Sequence, residues 1–359
     1  MGDRRCRNEW RQRLFVEDRQ FESCLFANPL KYDNLAAAKQ KVGFVEQLAE
    51  LKAVNAKIKA ILPDGYRDCY ESILPESMGS AKLAYGPDGR IDWDSMWTHF
   101  CDLALAGGPA HRGTLLEPCS SQEMASEEEN YRAVVAEIGR GIGLVANLPV
   151  ILRHLPGWVA VRCTNKGMAA WLLRAIMAEN IMTRHDGELL LLPAGPSFRQ
   201  EKEIKNVITS VAKTCHYWND HTSDQEQESI AAAIDGGLAG SELLEPAIAD
   251  EIRTHPSEYE TVIEQTERGI AKATGLETTR SRASGWIGVP TQNERMAIWM
   301  MRVLIVDNIL ARREGAMLCV PVCPSFSVND RVARLVDSVG RAFRLWELQQ
   351  AMKLQPGLS

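Results

Sequence analysis

Gly157-Trp158-Val159-Ala160-Val161 and, 128 residues later, Gly285-Trp286-Ile287-Gly288-Val289 are two short apolar runs, each opened by a glycine and a tryptophan. Both are too short for a helix and are bounded by turn-forming residues, the pattern of a buried strand. Sliding the chain against itself by that offset aligns it without a gap from Gly157 over Gly285 to Trp218 over Trp346, and 20 of the 62 aligned positions are identical. Ordinary residue frequencies would give roughly four. The same offset superposes Leu115-Leu116-Glu117-Pro118 on Leu243-Leu244-Glu245-Pro246, Tyr131 on Tyr259, and Arg140-Gly141-Ile142 on Arg268-Gly269-Ile270. A period this long, present twice, is unlike a solenoid. It predicts two related units packed about a pseudo-two-fold axis, with a cleft on that axis as the default pocket.

Outward from the two strands, Val134, Val135, Ile138, Ile142 and Val145 recur at helical spacing within Glu127 to Asn147, and Asn147 and Gly275 are the residue types that end helices in the left-handed conformation. Thr164 and Thr291 follow the strands, the latter spaced with Glu294 as a capping box, and a long apolar helix is expected to run to about Arg184 and Arg312, stopped by Gly187 and Gly315. Leu189 to Pro193 and Met317 to Pro321 read as second strands, and Ser197 with Gln200 as the cap of a final helix. Strand–helix–strand connections of this length imply parallel, right-handed pairing. Two strands make no independent sheet, so strands of both units are expected in one sheet, or paired with the hairpin-like Lys82 to Trp93.

The fold class expected is therefore helix-rich α/β: tandem duplicated α-β-α-β-α units related by a pseudo-two-fold axis, plus a helical N-terminal region. The boundaries are 1–92 for that region with its short hairpin, 93–220 and 221–348 for the units, and 349–359 for a tail. In the N-terminal region Val42, Val45, Leu48, Leu51, Val54, Ile58 and Ile61 give Leu35 to Ile61 one apolar helical face, for packing within the chain or for a homo-oligomer seam. Asp94 to Ala106 reads as a short helix burying Trp97, Phe100, Cys101 and Leu105.

Composition narrows the function classes. Of 359 residues, 45% are hydrophobic and 25% charged, enough for a globular core and unlike a disordered chain. A net charge of −6 argues against a nucleic-acid partner. Nowhere do eighteen apolar residues run together, and Met1 to Arg13 lacks an apolar signal core, so neither a membrane nor secretion is expected. Nine scattered cysteines fit a reducing, cytoplasmic location better than a disulfide scaffold.

Candidate chemistry lies at the strand ends and in polar clusters present in one unit only. Arg162, Cys163, Thr164 and Asn165 follow the first strand, Asn293 matches Asn165, and Ser197 follows the second strand. Helix N-termini converging at strand ends would make Arg162, Asn165, Ser197 and Asn293 ligand contacts and Cys163 a candidate nucleophile; helix capping is the competing role. Gly107-Gly108-Pro109-Ala110-His111-Arg112-Gly113 has no counterpart in the second unit. There Gly108 would let backbone approach a ligand, Arg112 would clamp an anion, and His111 would exchange a proton. Lys213 to His221 is the second one-sided cluster, with His216 as a candidate catalytic group; His216 and His221 are five apart, a poor helical spacing for one metal. Cys319 and Cys323 are expected as inert thiols of a strand. Arg174 and Arg302, and the pairs Asn180 with Arg184 and Asn308 with Arg312, interrupt apolar helices at matching places, as structural networks or as ligand clamps.

The sequence names no reaction and no cofactor. Its leading reading is a cytosolic enzyme acting on a small anionic metabolite in the cleft between the units. The alternatives are a non-catalytic scaffold that oligomerises through the Leu35 to Ile61 helix, and a metal-handling accessory protein using His111, His216 and His221.

Overall fold

In the computed structural model, residues 35–67, 83–95, 113–237 and 242–354 are described. They divide into two compact units, one of the described residues within 35–56 and 341–354 and one of those within 57–340. In the smaller unit, helix α1 (Leu35–Ala60, its last residues in the larger unit) buries Leu48, Leu51 and Val54, and Glu50 pairs with Arg341 at 3.6 Å. Those apolar residues are thus covered within a single chain, as is Ile58, while Val45 is exposed. Among the described residues no helix is long and apolar enough to cross a membrane.

The larger unit carries two small antiparallel sheets. A short turn of helix, α2 (Asp64–Arg67), and an antiparallel bridge between Tyr85 and Ile91 precede them. The first α/β segment runs α3 (Ser121–Ser126), α4 (Glu128–Ala146), β1 (Val150–Leu155), β2 (Trp158–Arg162), α5 (Lys166–Ala178), β3 (Arg184–Asp186), β4 (Leu189–Pro193), a π turn (Gln200–Ile204) and α6 (Lys205–Asp220). Helix α7 (Asp224–Gly237) follows. The second segment runs α8 (Ala249–Thr254), α9 (Pro256–Thr274), β5 (Thr279–Arg280), β6 (Trp286–Pro290), α10 (Glu294–Val306), β7 (Arg312–Glu314), β8 (Met317–Pro321), a 3-10 turn (Pro324–Ser327) and α11 (Arg331–Leu354), which continues into the smaller unit. Sheet orders are β1-β2-β4-β3 and β5-β6-β8-β7.

Both sheets correct the expected pairing. β2 and β4 are antiparallel, Trp158 facing Pro193 and Arg162 facing Leu189, and β6 and β8 repeat this with Trp286 facing Pro321 and Pro290 facing Met317. Among the described residues each segment has four strands rather than two, in its own sheet, and the 83–93 part of the expected hairpin joins neither. The cause is at Gly187 and Gly315. Both sit at φ 58° and turn hairpins between β3 and β4 and between β7 and β8, instead of ending helices. Helices α5 and α10 stop earlier, at Ala178 and Val306, because Asn180 (φ 62°) and Asn308 (φ 61°) take the left-handed conformation. With a hairpin inserted, the returning strand runs opposite to β2, and the parallel crossover rule no longer applies.

The recurring sequence marks have physical causes. Gly157 and Gly285 both sit at φ 78°, where a Cβ would lie 2.5 Å from the Cys119 carbonyl oxygen and 2.2 Å from that of Ala247. Their backbone N–H groups donate to the hydroxyls of Tyr131 (3.0 Å) and Tyr259 (2.9 Å), which accounts for the two tyrosines. A Cβ on Gly141 would meet Ile208 at 2.3 Å and one on Gly269 would meet Val336 at 2.5 Å, so these glycines let α4 lie close to α6 and α9 close to α11. Leu116 bridges Ile181 and Leu244 bridges Ile309, each in parallel, tying the Leu-Leu-Glu-Pro stretches to the chain after α5 and α10. Trp158, Val159, Ala160 and Val161 are buried with Leu172, Leu173 and Ile176 of α5 and Val207, Ile208 and Val211 of α6 in one apolar core. At roughly 25 cal/mol per Å² of apolar surface removed from water, such burial is what holds sheet and helices together.

Candidate functional site

His111, Arg112 and Gly108 lie outside the described residues, as do Trp97, Phe100, Cys101 and Leu105. The other expected site residues fall in separate places. Asn165 and Asn293 are helix N-caps: their side-chain oxygens accept from the Met168 N–H at 2.8 Å and the Met296 N–H at 3.0 Å. They, not Thr164 and Thr291, cap α5 and α10; the Thr291 hydroxyl donates to the Ala316 carbonyl at 2.5 Å. Ser197 is exposed in a turn and caps nothing. The π turn begins after Arg199, whose N–H donates to Glu203 at 3.1 Å. Arg162 is exposed at the end of β2 and makes no ion pair among the described residues.

Cys163 is 3% exposed, and burial pushes its thiol up to about 12, so it is protonated at neutral pH, the opposite of an activated thiolate. Burial likewise raises Cys215, and raises Cys319 to about 11. All five described cysteines are unpaired.

The matched arginines and asparagines form a polar seam between the two α/β segments. Arg174, buried in α5, donates to the Asn308 side chain at 2.7 Å and to the Ala170 carbonyl at 2.6 Å. The Asn180 amide donates to the Arg313 carbonyl at 2.7 Å, and its oxygen accepts from Arg312 at 3.3 Å. Arg312 also lies 4.8 Å over the Trp286 ring and 2.6 Å from Glu314. Arg184 makes a bidentate pair with Glu251, both contacts 2.8 Å, and reaches the Pro246 carbonyl at 3.0 Å. Burial brings Arg174 down to about 10, with Glu245 and Asp235 opposing. Arg174, Asn180, Arg184, Asn308 and Arg312 are thus all engaged by protein groups.

One-sided polar groups cluster on α6. Lys213 is buried against Glu179 of the α5 end; burial lowers the Lys213 ammonium and raises the Glu179 carboxyl, and their mutual attraction opposes both shifts. At the exposed end of the helix, His216 Nδ1 lies 2.6 Å from Asp220 Oδ2. His216 Nε2 lies 3.1 Å from His221 Nε2, the rings meeting edge-on with centroids 4.8 Å apart. The five-residue spacing is no obstacle because His221 is the C-cap, at φ −115° and ψ 5°, and its ring leaves the helical track to meet His216. Partial burial lowers His221, with the neighbouring His216 adding to the shift and Asp220 opposing it.

Asp220 is the partner of His216 that sequence reading leaves without a role, although its spacing of four from His216 is the signal. A carboxylate accepting from Nδ1–H fixes the tautomer and makes Nε2 the acceptor of the ring. The two rings can then share a proton along the 3.1 Å hydrogen bond between their Nε2 atoms. Among the described residues no group of three or more His, Cys, Asp or Glu could hold a metal ion. No protein-family model, no curated protein and no solved structure matches the chain.

Proposed function

We propose that the chain is an enzyme acting on a small anionic molecule, and that this molecule engages the His216–His221 pair at the exposed end of α6. The observation that carries the reading is the 2.6 Å contact between Asp220 and His216, which orients a half-buried imidazole beside the exposed ring of His221, as reactive sites do. The exposed guanidinium of Arg162, with no ion pair among the described residues, supports an anionic ligand. The engagement of Arg174, Arg184 and Arg312 by protein groups favours α6 over the seam as the place of binding.

We also propose that units 93–220 and 221–348 descend from one copied segment and pack about a pseudo-two-fold axis. The 20 identities in 62 positions, the equal strand orders and the paired left-handed positions support this.

Calorimetric titration of the full chain with inorganic phosphate and with a panel of small carboxylates and phosphate esters tests the function. The expected result is a ligand of that panel whose affinity falls at least tenfold in both His216→Ala and His221→Ala. Binding that is unchanged in both variants, or no binding by any of the panel at millimolar concentration, overturns it.

A further inference from the structure

We infer that Gln227 is a positioning residue of the histidine pair: from helix α7 its side-chain amide staples the corner that turns the His221 ring back onto His216. The last four C=O groups of α6 have no partner within the helix and must find one outside it. The Tyr217 carbonyl accepts from the His221 N–H at 3.3 Å and from the buried Thr222 hydroxyl at 2.8 Å. The Trp218 carbonyl accepts from Gln227 Nε2 at 2.7 Å, and the same nitrogen reaches the Thr222 carbonyl at 3.2 Å. A primary amide carries two hydrogens on one nitrogen, so this single side chain serves both carbonyls at once. Those carbonyls stand on either side of His221 in the chain, and tying them together holds the C-cap residue at φ −115° and ψ 5°.

The helix that carries the staple is itself fixed. Glu226 accepts from the Ser223 N–H and hydroxyl, both at 2.7 Å, and the Gln227 N–H donates to the Ser223 carbonyl at 2.8 Å, so α7 starts directly after the corner. Ile230 and Ile234 are buried, and α7 lies against α5 where Gly167 has no side chain: a Cβ there would stand 2.4 Å from that of Ala231. The aligned position in the second segment is Arg295, whose bulk leaves no room for such an approach.

A fixed corner matters because the contact it serves is exacting. The two Nε2 atoms are 3.1 Å apart, and a ring displaced by about 1 Å more no longer makes the hydrogen bond. His221 is exposed at a helix end, the kind of position that frays when its backbone is not held. Gln227, half-buried and acting through the backbone on both sides of His221, supplies that hold. The inference rests on the functional reading only for what the histidine pair engages; the placement of His221 stands on the hydrogen bonds.

The test is the titration of His221 in the full chain, followed by proton NMR at its ring C–H and assigned with His221→Ala. In the parent the midpoint lies below 6.5, because partial burial and the neighbouring His216 lower it against the opposing pull of Asp220. Gln227→Met keeps the length of the side chain and removes both donors, so the ring should swing away from His216 and its midpoint rise toward 6.5. Ser229→Ala, which removes a hydroxyl bonded to the Gln225 carbonyl on the same helix, should leave the midpoint at the parent's value. A His221 midpoint in Gln227→Met equal to the parent's overturns the inference, whatever the loss in melting temperature; should that chain not fold, Gln227→Ala is read in its place. No anion is present in this titration, so its failure leaves the anion reading standing, and failure of the anion titration leaves the role of Gln227 standing.

Discussion

The first and second α/β segments use the same backbone devices and place their charges differently. Left-handed residues recur at Gly157 and Gly285, Asn180 and Asn308, and Gly187 and Gly315, and each sheet has its longest-paired strands in the middle. Against that shared frame, the first segment buries Lys213 on Glu179, where the second has Arg341, half-exposed and paired with Glu50, and Asp307. The first carries His185 in β3 and His216 in α6, where the second has Arg313 and Arg344. Groups that shape the backbone are constrained by sterics and recur in both segments, while the charged groups on the same frame differ.

Breaking the comparison where it is most unequal gives the largest expected effect. Lys213→Met leaves the Glu179 carboxyl buried without its partner and should cost about 3–5 kcal/mol in urea denaturation, most of it recovered by adding Glu179→Leu. Arg341→Met, at the aligned position, should cost less than about 1 kcal/mol. Equal costs at the two positions would remove the distinction between a buried and a surface pair.

Where the segments agree, paired variants should agree too. Gly157→Ala and Gly285→Ala each force a Cβ into a carbonyl oxygen at positive φ and should each cost about 2–3 kcal/mol. Tyr131→Phe and Tyr259→Phe remove the acceptors of the glycine N–H groups and should each cost about 1 kcal/mol. A glycine or tyrosine pair whose two members differ more than twofold would show the frames to be supported differently.

The smallest effect is in pH dependence. Burial lowers His185 below its ordinary value of 6.5, with Arg174 adding to the shift and the Gly187 backbone opposing it. The unfolded chain therefore binds this proton more readily, so the contribution to stability is complete above pH 6.5 and declines as pH falls toward the folded value. His185→Gln should flatten the stability profile between pH 6.5 and 5, measured by urea midpoints. A profile as steep as the parent's would exclude His185 as its source.

Much of the frame was legible in the sequence because sterics write it locally. The helix from Glu128 to Ala146, its left-handed Asn147, and the strands at Trp158, Trp286, Leu189 and Met317 appear where periodicity and turn residues put them. The three-residue strands β3 and β7 did not, since Arg184-His185-Asp186 and Arg312-Arg313-Glu314 are polar and too short to show alternation, and missing them turned an antiparallel sheet into a parallel one. At the candidate site, His216 was legible as a one-sided polar group, whereas its approach to His221 depends on a C-cap conformation with no pattern in residue spacing. The Lys213–Glu179 pair joins residues 34 apart and carries one faint mark: the aligned Arg341 and Asp307 keep the same signs.

The seam has a consequence for how the chain is made. Those of its hydrogen bonds that run from Arg174 to Asn308 and from Asn180 to Arg312 and Arg313 join residues 132 to 134 positions apart. At translation speeds of about 5–20 residues per second, the first segment leaves the ribosome roughly 7 to 27 s before its counterparts exist. For that interval Arg174 and Asn180 face water or a chaperone, and the nascent first sheet must wait for a partner that only the completed chain supplies.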